Sequence, residues 1–109
     1  MKISSYHFHI YFNLEDKEQA VYLREHLSSE FGSKVRIGKL HEQKVGPHTK
    51  PMFQVVCPST YFISLYEEVL LQRGKLSVLI HPETGNDLND HTIHAVWMGS
   101  PIELDLSRL

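Results

Sequence analysis

The chain has 109 residues, 41% of them hydrophobic and 22% charged, which bounds it to one globular domain, 1–109, with a single core. Its formal net charge is −2 with no run of Lys or Arg, which argues against a nucleic-acid surface, and no apolar stretch approaches the ~18 residues of a membrane span. The single cysteine, Cys57, excludes an internal disulfide and, with no visible signal peptide, points to a cytoplasmic protein.

Tyr6-His7-Phe8-His9-Ile10-Tyr11-Phe12 alternates in the manner of a half-buried strand. Phe8, Ile10 and Phe12 share one face, and His7, His9 and Tyr11 the other. Same-face neighbours on a strand lie roughly 6–7 Å apart, so both imidazoles can converge on one metal or substrate. Ala20, Leu23, Leu27 and Phe31 repeat at helical spacing over about 16–31, with Asp16 and Gln19 as a capping box and Gly32 as the C-terminal cap. Val35 to Leu40 reads as a second strand near an edge, followed by a Gly/Pro loop that carries His48. Met52 to Cys57 is a third, central strand, with Cys57 buried and inert. Ser59 caps a second amphipathic helix bearing Phe62, Leu65, Tyr66, Val69 and Leu70, which ends at Arg73-Gly74. Lys75 to Ile80 is a fourth strand, ending in His81-Pro82. Asp90 caps a short helical turn with His91, His94 and Trp97, and Ile102, Leu104 and Leu106 alternate as a last short strand.

The order strand, helix, strand, strand, helix, strand is that of a ferredoxin-like split βαβ fold: α+β, a four-stranded antiparallel sheet and a C-terminal extension. Right-handed crossovers are expected to make strands 1 and 3 parallel central neighbours, with strand 4 antiparallel to strand 1. His7 and His9, His48 and His81 should then gather at one end of the sheet. With Leu76, Val78 and Ile80 facing the helices, His81 faces away with His7 and His9. The open face needs cover, from the C-terminal segment with Trp97 or from a second subunit in a homodimer.

Eight histidines are dispersed along the chain. A lone strand histidine is usually structural, but four converging on one end form a candidate metal or catalytic site. Neutral imidazole suits iron, zinc, copper and nickel, and three ligands with an open position make a catalytic pattern. His26 and His41 read as exposed. His91 and His94, three apart, are candidates for acid–base work. Asp87 or Asp90 could complete a two-His-one-carboxylate set, although turn formation and capping explain both.

Tyr6-His7-Phe8-His9-Ile10-Tyr11-Phe12, Gly46-Pro47-His48, Phe53-Gln54-Val55, Arg73-Gly74-Lys75-Leu76-Ser77-Val78-Leu79-Ile80-His81-Pro82, Asp90-His91-Thr92, Ala95-Val96-Trp97-Met98-Gly99 and Leu104-Asp105-Leu106-Ser107 appear in this order. The ordered set resembles the DOPA 4,5-dioxygenase family of fungi and bacteria over nearly the whole chain. The resemblance implies extradiol cleavage of DOPA or a related catechol by O2 at a non-haem Fe(II) site. It implies His9, His48 and His81 as metal ligands and His7 or His91 as acid–base, with zinc or another divalent metal able to replace iron. Two other readings compete. One is a non-enzymatic ferredoxin-like module for small-ligand binding or dimerisation, which has no need of four gathered histidines. The other is a zinc-dependent hydrolytic site, which would use the same imidazoles without oxygen.

Overall fold

The computed structural model describes residues 2–109. Five strands form one sheet: β1 (Ser5–Tyr11), β2 (Arg36–Ile37), β3 (Met52–Pro58), β4 (Ser77–Pro82) and β5 (Val96–Met98). Two main helices, α1 (Lys17–Phe31) and α2 (Phe62–Gln72), follow β1 and β3, and a short third, α3 (Asp87–Asp90), follows β4. The sheet order is β2-β3-β1-β4-β5, and every neighbouring pair is antiparallel. The architecture is therefore α+β, with a five-stranded antiparallel sheet.

The expected parallel pairing of strands 1 and 3 is corrected here, since Ser5 pairs with Pro58 and Tyr11 with Met52. The reason is connectivity. Helix α1 carries the chain back so that β2 runs with β1. The loop after β2 then reverses direction, so β3 opposes both β2 and β1. The pleat sorts the strands as their alternation dictates. Phe8, Ile10, Phe53, Val55, Val78 and Ile80 pack under the helices with Leu23, Leu27, Leu65 and Val69. Burying each such side chain is worth about 1.5–3 kcal/mol, so this layer fixes the register of β1 between β3 and β4.

The opposite face carries His7, His9 and Tyr11 from β1, Met52 and Gln54 from β3, and Leu79 and His81 from β4. Tyr11, Met52 and Leu79 form a second cluster there, with Trp97, Ile102 and Leu104 laid across it. The C-terminal segment of the chain itself thus covers part of this face. Trp97 sits on β5 opposite Leu79 and not on a helical turn, because the chain turns at 91–94 and joins the sheet edge. Residues 101–105 are not a strand, and Leu106–Arg108 is a turn of 3-10 helix. Asn86 caps α3, accepting from Asn89 N, while Asp90 lies at the end of that helix. Gln19 makes no capping box. Its amide donates to the Arg73 carbonyl at 3.1 Å and ties α1 to the end of α2.

Candidate metal centre

The functional face is built around β1. Its pleat sends His7 and His9 to the same side, and antiparallel pairing sets His81 of β4 directly opposite His7 and diagonal to His9. Nitrogens of His7, His9 and His81 lie within 4.8 Å of one another, a spacing at which one ion could be shared. His9 and His81 are buried and their Nε2 atoms are 3.1 Å apart. Two imidazole nitrogens bound to one ion at ~2.0–2.1 Å, with angles of roughly 95–110°, stand about 3.0–3.4 Å apart, so this pair already has the separation a divalent ion needs.

Hydrogen bonds set each ring's proton. His81 Nδ1–H donates to the Pro82 carbonyl at 2.8 Å, which leaves a lone pair on Nε2, the atom that faces His9 Nε2. His7 Nε2 is 2.8 Å from Glu83 Oε1, and Ser5 Oγ donates to the other oxygen of that carboxylate at 2.9 Å. His9 Nδ1 is buried with no partner among the described residues, leaving the central ring the least satisfied of the group. Burial drives the electrostatics. It holds His9 well below the ordinary imidazole range, with the His48, His81, His7 and His91 rings adding to the effect. Burial, then the neighbouring His91, pushes His48 down to about 4. Burial pushes His81 down to about 4 as well, against the opposing bond to the Pro82 carbonyl. For His7, burial outweighs the attraction of Glu83, and its pKa also falls. All four rings are therefore neutral near pH 7, the state in which imidazole binds a metal.

His48 arrives by a different route from the one its sequence position suggests. With β3 antiparallel to β1, the start of β3 lies at the far end of β1. The 38–51 loop folds back through backbone bridges His41–Met52 and Val45–His48 and lays the ring over the sheet face. The C-terminal segment pins this loop: Asp105 N donates to the Pro47 carbonyl at 2.8 Å, and Thr49 Oγ1 donates to the Glu103 carbonyl at 2.6 Å. His7 and His81 thus pair near one end of the β1–β4 ladder, as expected, while His48 reaches the group from the opposite end of β1 by crossing the open face. The His48 ring is 4.2 Å from that of His9, centroid to centroid, and its Nδ1 is 2.6 Å from the Tyr11 hydroxyl. His91 hangs over the group from the turn after α3, its ring 4.2 Å from His81, and its Nδ1–H donates to the Asp87 carbonyl at 2.7 Å.

A cavity of about 500 Å³ opens onto these rings, a size suited to a small molecule. Asp87 is exposed at its edge. Asp90 is buried and accepts from Thr84 N at 2.9 Å and Thr84 Oγ1 at 2.6 Å, with His94 Nδ1 at 3.1 Å. Those bonds outweigh its burial and hold its pKa below the usual carboxylate value. Asp90 therefore has a structural explanation. The remaining candidates lie apart from the centre. His26 is half-buried against Glu68 of α2, not exposed, and His41 is half-buried where its backbone bridges to Met52. Glu83, Gln54 and Arg108 line the cavity without having been singled out from the sequence. For Glu83 a signal existed, because it follows His81 by two residues and continues the same side of the chain.

A profile described as "Dopa 4,5-dioxygenase family" matches residues 6–108. The chain is 32% identical over 115 aligned positions to a DOPA 4,5-dioxygenase of Amanita muscaria, covering 99% of this chain and 50% of that protein. It is 36% identical over 110 positions to an uncharacterized 21.2 kDa protein of Botryotinia fuckeliana, covering 91% of this chain and 60% of that one. The chain thus spans only about 50–60% of the length of these curated relatives. A crystal structure from Nostoc punctiforme, of a protein provisionally described as a dioxygenase, superposes with a TM-score of 0.91 at 32% identity, covering 96% of this chain and 90% of that one.

Proposed function

The chain belongs to the DOPA 4,5-dioxygenase family, and from that premise we propose that it is an extradiol ring-cleaving dioxygenase for DOPA or a related catechol, using O2 and a non-haem Fe(II) site. The observation that carries the reading is the convergence of His7, His9 and His81 on the floor of a small-molecule cavity, all in the neutral form. The strand order β2-β3-β1-β4, with each main helix linking strands separated by one neighbour, supports reading that part of the fold as a ferredoxin-like split βαβ unit.

In this reading His9, His81 and His7 hold the ion. Bound there, Fe(II) would supply Lewis-acid and redox chemistry towards the catechol and O2. In the overall reaction both atoms of O2 enter the product and the ring bond beside the diol breaks. Other divalent ions compete for the same imidazoles, so a recovered metal does not by itself name the native one. The Pro82 carbonyl fixes the ring of His81, and Glu83 holds that of His7. His91, whose Nδ1–H is taken by the Asp87 carbonyl, keeps a bare Nε2 and serves as the base that accepts a catechol proton. Trp97 and Tyr11, stacked with centroids 5.8 Å apart, cover the sheet face beyond His9 as part of the apolar cluster with Met52 and Leu79.

The test is to load the protein with Fe(II) without air, then add DOPA and air. A new visible absorbance with matching oxygen uptake is expected, and both should vanish in His9→Ala and His81→Ala. Iron binding without DOPA turnover would move the substrate to another catechol. A folded protein that neither binds iron nor consumes oxygen would overturn the reading in favour of a binding module.

A further inference from the structure

We infer that Tyr11 fixes His48 as a proton-bearing hydrogen-bond donor facing the cavity, so that His48 is not a metal ligand and the metal is held without it. Three observations carry this. The Tyr11 hydroxyl and His48 Nδ1 are 2.6 Å apart, and this is the only hydrogen bond of the hydroxyl among the described residues. Tyr11 is 1% exposed, so its hydroxyl has almost no access to water. His48 Nε2 has no protein partner, does not belong to the buried unpartnered atoms, and its ring lines the cavity.

The proton count follows. A neutral imidazole has one N–H and one lone pair. If His48 Nδ1–H donated to Tyr11, the phenol proton would be buried with no acceptor, at a cost of ~1–3 kcal/mol. If the phenol donates to Nδ1, nothing is left unpaired. The phenol is therefore the donor and His48 Nδ1 the acceptor of this 2.6 Å bond. The proton of His48 then sits on Nε2, the edge that faces the cavity. A nitrogen that carries hydrogen offers no lone pair to a metal. His81 shows the opposite arrangement, because its Nδ1–H goes to the Pro82 carbonyl and its Nε2 keeps a lone pair, 3.1 Å from His9 Nε2.

The centre thus contains rings of two kinds, sorted by their outer hydrogen bonds. An Nε2–H held over a metal-binding floor is suited to an anionic oxygen on the bound molecule. If the dioxygenase reading holds, that oxygen belongs to the catecholate or to reduced O2, and Tyr11 is a positioning residue acting through His48.

Two measurements test the inference without requiring turnover. In the metal-free protein labelled with 15N-histidine, long-range 1H–15N spectra should show His48 protonated at Nε2, and Tyr11→Phe should erode that single-tautomer pattern. Protonation at Nδ1 in the unsubstituted protein would overturn the inference. In Co(II) titrations, His48→Gln should bind within about threefold of the unsubstituted chain, whereas His81→Gln should lose at least ~100-fold. An equal loss in both folded variants would make His48 a ligand and defeat the proposal. Failure of catechol turnover alone would count against the dioxygenase reading and leave both of these results standing.

Discussion

Lowering the pH from 7 to 5 should destabilise the metal-free protein before its carboxylates titrate. A histidine whose folded-state pKa lies below its unfolded value binds fewer protons when folded. Its stabilising contribution is therefore complete above about pH 6.5 and is lost as pH falls toward the folded value. For His48 and His81 that window runs from 6.5 down to about 4. With one pKa unit worth about 1.4 kcal/mol, going from pH 7 to pH 5 removes about 2 kcal/mol for each ring, or about 4 kcal/mol for the two. His9 and His7 shift in the same direction and add to the loss. Asp90, shifted down from 3.8, acts only below this window. A domain of this size has roughly 5–15 kcal/mol of stability to lose. Urea denaturation in chelator, followed by the fluorescence of Trp97, measures it. At a slope of about 1–3 kcal/mol per molar, the midpoint should fall by about 1.3–4 M between pH 7 and 5. A midpoint that moves less than about 0.5 M, or an equally steep fall in a folded His48→Gln/His81→Gln double variant, would refute the reasoning.

Replacing Asp90 with Ala removes the buried acceptor of Thr84 N, Thr84 Oγ1 and His94. The loss should be about 3 kcal/mol, read by calorimetry as a fall in Tm of roughly 10–15 °C. Gly32 and Gly74 both have positive φ, but a Cβ on Gly74 would meet Gln19 Nε2 at 1.6 Å while one on Gly32 meets nothing within 4 Å. Gly74→Ala should cost about 1 kcal/mol less in a Gln19→Ala background than in the unsubstituted chain, because there Gln19 no longer has to leave the Arg73 carbonyl. Chemical denaturation of this double-mutant cycle checks the difference, and equal costs in both backgrounds would contradict the contact. Among the described residues, Arg108 is the only Lys or Arg lining the cavity. Arg108→Gln should raise KM about tenfold, about 1.4 kcal/mol, for a carboxylate-bearing catechol and leave unsubstituted catechol unchanged.

How much of this was legible in the sequence depended on range. Local alternation placed Phe8, Ile10 and Phe12 under the helices and His7, His9 and Tyr11 on the other face, because a strand's period of two is set by the backbone alone. The same rule oriented His81 correctly. The direction of β3 depended on how a long loop closes, and no local pattern records that, so His48 was brought to the right partners by the wrong geometry. Trp97 was read on a helical turn because His91, His94 and Trp97 are spaced by three. Pairing with β4 overrode that spacing and made the segment a strand. The proton positions in the site were not legible at all. They follow from the Pro82 carbonyl, the Tyr11 hydroxyl and the Asp87 carbonyl, groups whose roles exist only once the chain is folded.

The short distance between His9 and His81 joins residues 72 positions apart in the chain. They belong to β1 and β4, a pair at the heart of the sheet. An ion gripped by both would act as a clasp, since β1 could not part from β4 without releasing it. The unfolded chain brings these rings together nowhere, so the energy of binding would reappear as mechanical and thermal resistance of the whole sheet. The slowest-exchanging amides should then lie along β1 and β4, and loss of the ion should be the opening event of unfolding.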